Sequence, residues 1–226
     1  MGSAGNNPAI EESLRAALAE RILVLDGAMG TMIQAHALTE EDFRGERFSG
    51  HSRELKGNND LLSLTRADLI GDIHRAFLEA GADIIETNTF NATSVSLADY
   101  GLTNSVRDIN IHAAQAARRA VDSFQTANPE RVCFVAGSIG PTSNPASISQ
   151  EGSNPAYRAV SIEELEAASL EDAAVALELG AVLLELASVP LEEASLFSPP
   201  PRVHPDGVLA QGLVLSKTTP TSRKLS

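Results

Sequence analysis

The stretch Ile22-Leu23-Val24-Leu25-Asp26-Gly27-Ala28-Met29-Gly30-Thr31 places an acid and two glycines directly after a short aliphatic run. Four apolar residues in a row, bounded by turn residues, are typical of a strand buried on both faces of a parallel sheet. Gly27 and Gly30 allow a backbone turn that residues with a Cβ would resist. Asp26 is therefore predicted at the carboxyl end of a buried strand, where α/β folds build their active sites. The alternative is an acid that only caps the next turn.

Length, composition and charge narrow the class of protein. At 226 residues and 43% hydrophobic, the chain can bury a core, yet it is shorter than the ~250 residues typical of an eight-stranded α/β barrel. A formal net charge of −13 argues against nucleic acid and anionic membranes as partners. The sequence has no apolar run of about 18 residues and no secretory signal pattern near its start. We expect a cytoplasmic protein with no nucleic acid and no membrane as partner.

Cysteine and histidine usage predicts no metal site. The single cysteine, Cys133, excludes an intramolecular disulfide and a zinc site built only from thiolates of this chain. Since it lies inside the apolar run 132–136, it is predicted to be a small core residue. The five histidines show no ligand spacing, and His74 and His112 are predicted to lie on helix surfaces.

Helical and strand patterns alternate along the chain. A lead-in over residues 1–9 precedes a short helix over 10–20, and residues 34–60 are polar and irregular. Two segments, 65–68 and 161–164, have the spacing of a capping box at a helix start. The other predicted elements are strands over 21–25, 82–87, 132–136 and 182–186, and helices over 65–80, 104–124 and 161–179.

This order of elements predicts parallel strands joined by right-handed crossovers. Residues 79–86 and 178–185 repeat one pattern, a helix end, a glycine, a buried strand and then a carboxylate. Acids follow three of the predicted strands, at Asp26, Glu86 and Glu185. The fold class predicted is α/β, the first half of a (β/α)₈ TIM-type barrel with about four βα units.

The composition changes near the end of the chain. Residues 198–226 contain a proline cluster and four basic residues against one acid, whereas the rest of the chain is acidic. No helical or alternating period is sustained there, apart from the apolar segment 208–215. We divide the chain into a lead-in with a short helix (1–20), a partial barrel domain (21–187) and an irregular tail, disordered or foreign to the domain (188–226).

Five blocks of sequence resemble the N-terminal homocysteine-binding domain of cobalamin-dependent methionine synthases, within the homocysteine S-methyltransferase family. The resemblance runs from about residue 21 to about residue 166 and implies the first half of the (β/α)₈ barrel of that family. The blocks are 26–34 (DGAMGTMIQ), 43–48 (FRGERF), 55–61 (LKGNNDL), 81–90 (GADIIETNTF) and 136–142 (AGSIGPT).

The resemblance also implies the chemistry of the parent enzymes. In that family three cysteines late in the barrel hold zinc, and the sulfur of L-homocysteine takes the fourth position as a thiolate. Methylcobalamin on a separate module donates the methyl group and is recharged from methyltetrahydrofolate. Because the matching cysteines are absent here, zinc and cobalamin are cofactors of the parent family, and none is expected to bind this chain alone.

Site residues follow from the resemblance. Asp26 would accept hydrogen bonds from the homocysteine ammonium, and the backbone amides of Gly27, Ala28, Met29 and Gly30 would meet its carboxylate. Glu86, Asn88 and Thr89 would line the same mouth; the alternative for Glu86 is an acid inside the barrel, paired with a neighbouring strand. Residues 58–60 either anchor the long loop or contact substrate. Arg44 and Arg47 are predicted to form ion pairs within the loops.

These observations predict two classes of function. The first is the homocysteine-binding part of methionine synthase, which works with the remaining modules of that enzyme, this chain alone being inactive. The second is a non-catalytic truncated product or a half-barrel that associates with another copy, since a half-barrel exposes sheet edges and apolar interior. Betaine- and S-methylmethionine-using homocysteine methyltransferases are the alternative parents.

Overall fold

The computed structural model describes residues 8–140 with their side chains, and the backbone of 182–183 and 214–215. Two 3₁₀ turns accompany the regular elements, at Asn59–Leu61 and Thr103–Ser105. The predicted helix 161–179 and most of the tail 188–226 lie outside the described residues. The helices are α1 Pro8–Glu20, α2 Met29–Ala35, α3 Glu40–Arg44, α4 Leu62–Thr65, α5 Ala67–Ala80, α6 Ser94–Ala98 and α7 Val106–Ala127. The strands are β1 Leu23–Val24, β2 Ile84–Glu86, β3 Phe134–Gly137, β4 Val182–Leu183 and β5 Val214–Leu215.

The strands β1 to β4 lie side by side in sequence order. A parallel bridge joins Leu25 to Ile84, β2 pairs in parallel with β3, and β3 pairs in parallel with β4. The β5 segment pairs antiparallel with β1. The prediction of a mixed α/β fold built on a parallel sheet is confirmed, and the barrel itself stays a prediction. None of the described helices has the length and apolar character needed to cross a membrane.

The two long helices α5 and α7 cover one face of the sheet, as their patterns predict. The α5 helix ends at Gly81, whose left-handed backbone (φ 109°) closes it. The stripe of α7 that begins at Val106 and Ile109 is buried against α5 and β3. Cys133 is 4% exposed in this core, so the prediction of a core cysteine is confirmed.

The other face of the sheet packs under the N-terminal helix α1. Side chains alternate along the strands, so that Ile84 and Phe134 face α1 while Ile85 and Val135 face α5 and α7. Leu14 of α1 is buried in this second cluster, and Ile10 and Leu18 pack against it. This face of the sheet is therefore covered near the strand starts and leaves the strand ends for polar residues.

Three local predictions are wrong. Thr65 does not cap α5, because it ends the preceding turn α4, where its hydroxyl donates to the Leu61 carbonyl (3.4 Å). The irregular stretch 34–60 contains α3, whose capping box pairs Thr39 with Asp42. Neither Gly27 nor Gly30 uses a positive φ, since the positive-φ glycines of the described part are Gly45, Gly57, Gly81 and Gly101.

Arg44 and Arg47 both form ion pairs, as predicted, although Arg44 lies in α3 and neither partner is in a loop. Arg44 contacts Glu40 at 2.6 Å, and its guanidinium also donates to the His51 carbonyl (2.6 Å). Arg47 pairs with Asp108 at the start of α7. These contacts tie the segment that follows α3 to the helical layer.

His74 is a correction to the prediction of a surface histidine. Its side chain is fully buried in α5, and neither ring nitrogen has a hydrogen-bond partner among the described residues. Burial lowers the pKa of His74 from 6.5 to about 4. His112, by contrast, is exposed on α7 as predicted.

Acid is expected to destabilise the fold through His74. Between pH 6.5 and about 4, His74 is protonated in the unfolded chain but stays neutral in the folded chain. The free energy of unfolding is therefore highest above pH 6.5 and falls as the pH drops through this window. The loss amounts to roughly 3 kcal/mol across that window. Urea unfolding of His74→Leu at several pH values should show a more stable protein with a smaller loss in that window. His36→Gln, at an exposed position, is the control, and a parent-like pH slope in His74→Leu would contradict the assignment.

Candidate binding site at the strand ends

Two carboxylates meet where β1 and β2 end. The Asp26 amide donates to the Ile84 carbonyl (2.8 Å), which continues the β1–β2 pairing by one residue. The Asp26 carboxylate then accepts the Glu86 amide (3.1 Å), so the side chain of one strand end is fixed by the backbone of the next. Asp26 is 5% exposed, and Glu86 is half-buried. The predicted position of Asp26 at a buried strand end is confirmed.

Burial sets the electrostatics of this pair. The pKa of Asp26 is raised well above its ordinary value, first by burial and next by the charge of Glu86, against the lowering effect of the Glu86 amide. Burial also raises the pKa of Glu86. Both carboxyls therefore hold protons more tightly than exposed acids do, which is typical of functional sites.

A cavity of about 330 Å³ opens above the two acids. Its described lining has three acids and no Lys, Arg or His, so it suits a cationic group. Met29 and Phe90 add apolar surface, and the Phe90 side chain is 53% exposed at the rim. The lining residues are Asp26, Gly27, Ala28, Met29, Gly30, Asn59, Asp60, Glu86, Thr87, Asn88, Phe90, Asn91 and Ser138.

The segment 58–60 anchors the loop that follows β2. The Asn58 side chain caps the 3₁₀ turn by accepting the Leu61 amide (3.3 Å). The Asp60 carboxylate accepts the Asn91 amide (3.1 Å), and the Asn59 carbonyl accepts from the Asn88 side chain (2.8 Å). The anchoring alternative is confirmed, and Asn59 and Asp60 also line the cavity. Burial raises the pKa of Asp60 to about 6.

Asn88 and Thr89 are both held by the protein. Besides Asn59, the Asn88 amide group contacts the Ser63 hydroxyl (3.2 Å), although Asn88 still lines the cavity. Thr89 is not among the described lining residues, because its hydroxyl donates to the Ser138 carbonyl (2.7 Å). The Thr87 hydroxyl lies 2.7 Å from that of Thr89 and accepts the Ser138 amide (3.0 Å). These bonds fix the loop after β2 to the end of β3.

Seven of the eight site residues predicted from the sequence line this cavity; Thr89 does not. Asp60, which the sequence left open between a loop anchor and a substrate contact, lines the cavity too, whereas sequence reasoning missed Ser138. Ser138 follows β3 directly, so the strand-end argument that located Asp26 could have found it. Phe90 and Asn91 carry no signal of their own in the sequence. The predicted set that lines the cavity is Asp26, Gly27, Ala28, Met29, Gly30, Glu86 and Asn88.

The described residues do not fit a zinc ion. No three His, Cys, Asp or Glu side chains within the described part are grouped as metal ligands. Cys133, the single cysteine of the chain, is buried beneath the helical layer and its thiol lies 4.0 Å from the Ala82 carbonyl. Burial raises the pKa of that thiol, which disfavours a metal-binding thiolate.

Fold and site define an α/β protein with a polar ligand cavity at the carboxyl ends of parallel strands. The family model for homocysteine S-methyltransferase matches residues 23–194, and the chain belongs to this family.

Two solved structures show the same likeness. The oxidized form of the homocysteine methyltransferase MmuM from Escherichia coli shares 27% identity with a TM-score of 0.56, covering 79% of this chain and 56% of that one. Its metallated form shares 25% identity with a TM-score of 0.56, covering 75% and 55%. The chain thus spans little more than half the length of these enzymes.

Proposed function

We propose that this chain supplies the amino-acid-binding part of a homocysteine methyltransferase. The single observation that carries the proposal is the cavity at the strand ends, in which Asp26 and Glu86 face a space without a basic side chain in its described lining. An α-ammonium group supplies the missing positive charge. Membership of the homocysteine S-methyltransferase family supports L-homocysteine as this amino acid.

The orientation of the ligand follows from the charges of the lining. The ammonium lies against Asp26 and Glu86, and the carboxylate lies toward the backbone amides of residues 27–30. The thiol-bearing chain extends past Met29 and Phe90, which add apolar surface to the cavity. Asn88 and Thr89 hold the loop in place, with Asn88 also at the cavity wall.

The parent enzyme we propose is a cytosolic methionine synthase, because five sequence blocks resemble that group. In the parent reaction a methyl group moves from methylcobalamin, recharged from 5-methyltetrahydrofolate, to the homocysteine sulfur, and the thiol proton leaves. In the parent family zinc would lower the pKa of the homocysteine thiol, but the described residues do not group as ligands for it. We therefore assign recognition of the amino acid to this chain and the chemistry to the complete parent enzyme.

A non-catalytic association module is the second candidate. Half-barrels expose sheet edges and apolar interior, and four large apolar side chains of the described part are exposed. A second copy of this chain or the remaining modules of the parent are the partners this candidate predicts. The four residues are Ile22, Phe90, Val132 and Ile139, which are 40 to 54% exposed.

Isothermal titration of the full chain with L-homocysteine tests the proposal. We expect saturable binding that weakens at least tenfold for 4-sulfanylbutanoate, which keeps the thiol and carboxylate but lacks the ammonium. Sedimentation at low protein concentration accompanies the titration. Equal affinity for the two ligands would contradict the proposed orientation, whereas self-association without homocysteine binding would favour the second candidate.

A further inference from the structure

The acids at the two ends of the strands are treated differently by the protein. Asp83, at the start of β2, is 3% exposed and accepts from Arg21 (2.7 and 2.8 Å), from the Val24 amide (2.9 Å) and from Arg131 (3.4 Å). Asp26, at the opposite end, is equally buried and accepts the Glu86 amide. Asp83 thus has two guanidinium partners, whereas Asp26 lies beside a second acid, Glu86.

The charged side chains in the described lining of the cavity are all acids. These acids are Asp26 just after β1, Glu86 at the end of β2, and Asp60 in the 3₁₀ turn Asn59–Leu61. The helix α2 contributes Met29 and Gly30, and the segment after β3 contributes Ser138; none of these side chains titrates in the acid range. Two neighbouring buried carboxyls without a cation in the described lining are most stable when one of them carries a proton.

Resting on the proposed function, we infer that Asp26 and Glu86 share one proton in the empty cavity and that an incoming primary ammonium expels it. The ligand keeps all its protons and its single positive charge. The carboxyl O–H bond breaks, and the proton passes to solvent as the ammonium takes its place. Recognition is then an exchange of one cation for another, and the affinity for an ammonium ligand rises with pH. The raised pKa of Asp26, set against the lowered pKa of Asp83, agrees with this difference in environment.

Calorimetric titration in pairs of buffers with different ionisation enthalpies measures the protons released. With the full chain and L-homocysteine, from about pH 5 to about pH 8, we expect close to one proton released at the acidic end and fewer as the pH rises. Over the range of full release, Kd should fall about tenfold per pH unit. Asp26→Asn should abolish the release, whereas Asp72→Asn, at an exposed position on α5, should retain it.

The outcomes separate this inference from the proposed function. Homocysteine binding without proton release at any pH overturns the inference and leaves the proposed function intact. Release that is lost in Asp60→Asn but kept in Asp26→Asn places the proton on Asp60 and also overturns it. Absence of homocysteine binding overturns the proposed function.

A ligand-free measurement tests the shared proton directly. The ¹³C carboxyl shift of Asp26 is followed by NMR as a function of pH in the parent chain and in Glu86→Gln. We expect the titration midpoint of Asp26 to fall in the variant, because the neighbouring negative charge is gone. An unchanged midpoint overturns the inference whether or not homocysteine binds.

Discussion

Replacing Asp83 with alanine is expected to lower the free energy of unfolding by about 3 kcal/mol. The Asp83 carboxylate accepts from Nη1 and Nη2 of Arg21 and from the Val24 amide, and so joins β1 to the start of β2. Alanine leaves that amide without its acceptor and removes the partner of Arg21. Burial acts to raise the pKa of Asp83, but the Arg21 bonds and the Val24 amide outweigh it and hold the pKa below its ordinary value. The Asp83 carboxyl is therefore ionised in the folded protein near neutral pH.

Urea denaturation measures this loss, provided that the dependence of the unfolding free energy on urea concentration is the same in the parent and the variant. Asp72→Ala is the matched control, since Asp72 forms an exposed i,i+3 pair with Arg75 on α5 and should change stability by no more than about 0.5 kcal/mol. Asp83→Asn should fall between the two, because its side-chain oxygen still accepts the Val24 amide. A loss in Asp83→Ala no larger than that in Asp72→Ala would show that this junction does not stabilise the sheet.

The sequence was most informative where local pattern and fold position coincide. Asp26 follows an aliphatic run, and its place at a strand end depends only on neighbouring residues. His74 could have been recognised by the same logic, because it lies four residues from both Ile70 and Leu78 on the buried face of α5. The prediction of a surface position for His74 depends on the polarity of histidine and ignores its place on the apolar stripe of α5.

Contacts between segments that are distant in the sequence could not be predicted from local patterns. Arg21 and Asp83 are separated by 62 residues, and no local pattern links them. The family resemblance predicts Thr89 in the site, yet its hydroxyl donates to the Ser138 carbonyl, 49 residues away. Asp60 lies in a polar turn that reads as a loop anchor, and only the packing of that turn against the segment after β2 brings its carboxyl to the cavity.

A buried acid without a cation has a cost that binding can recover. Asp83 is stabilising because its carboxylate pairs with Arg21 and Arg131. Asp26 loses hydration, lies near Glu86 and has no basic side chain in the described lining of its cavity, although it accepts the Glu86 amide. Sites that bind ligands commonly sacrifice stability in this way. The two acids therefore predict opposite responses to neutralisation, which is a sharper test of function than loss of binding alone.

Asp26→Asn is accordingly expected to raise the free energy of unfolding by about 1 kcal/mol near neutral pH while it weakens L-homocysteine binding about 100-fold. Asparagine keeps an oxygen that accepts the Glu86 amide, so the local backbone is retained and only the charge is removed. Urea unfolding and calorimetric titration of the same preparation give the two quantities. Asp72→Asn, at an exposed position on α5, should change neither.

The direction of the two changes decides between a binding residue and a structural one. If Asp26 serves only the fold, its neutralisation lowers stability, and any weaker binding follows from a damaged site. If it serves the ligand, stability and affinity move in opposite directions, because the interaction that the asparagine loses exists only when an ammonium is bound. A less stable Asp26→Asn protein with unchanged homocysteine affinity would therefore remove Asp26 from the binding site and return it to the role of a strand-end acid.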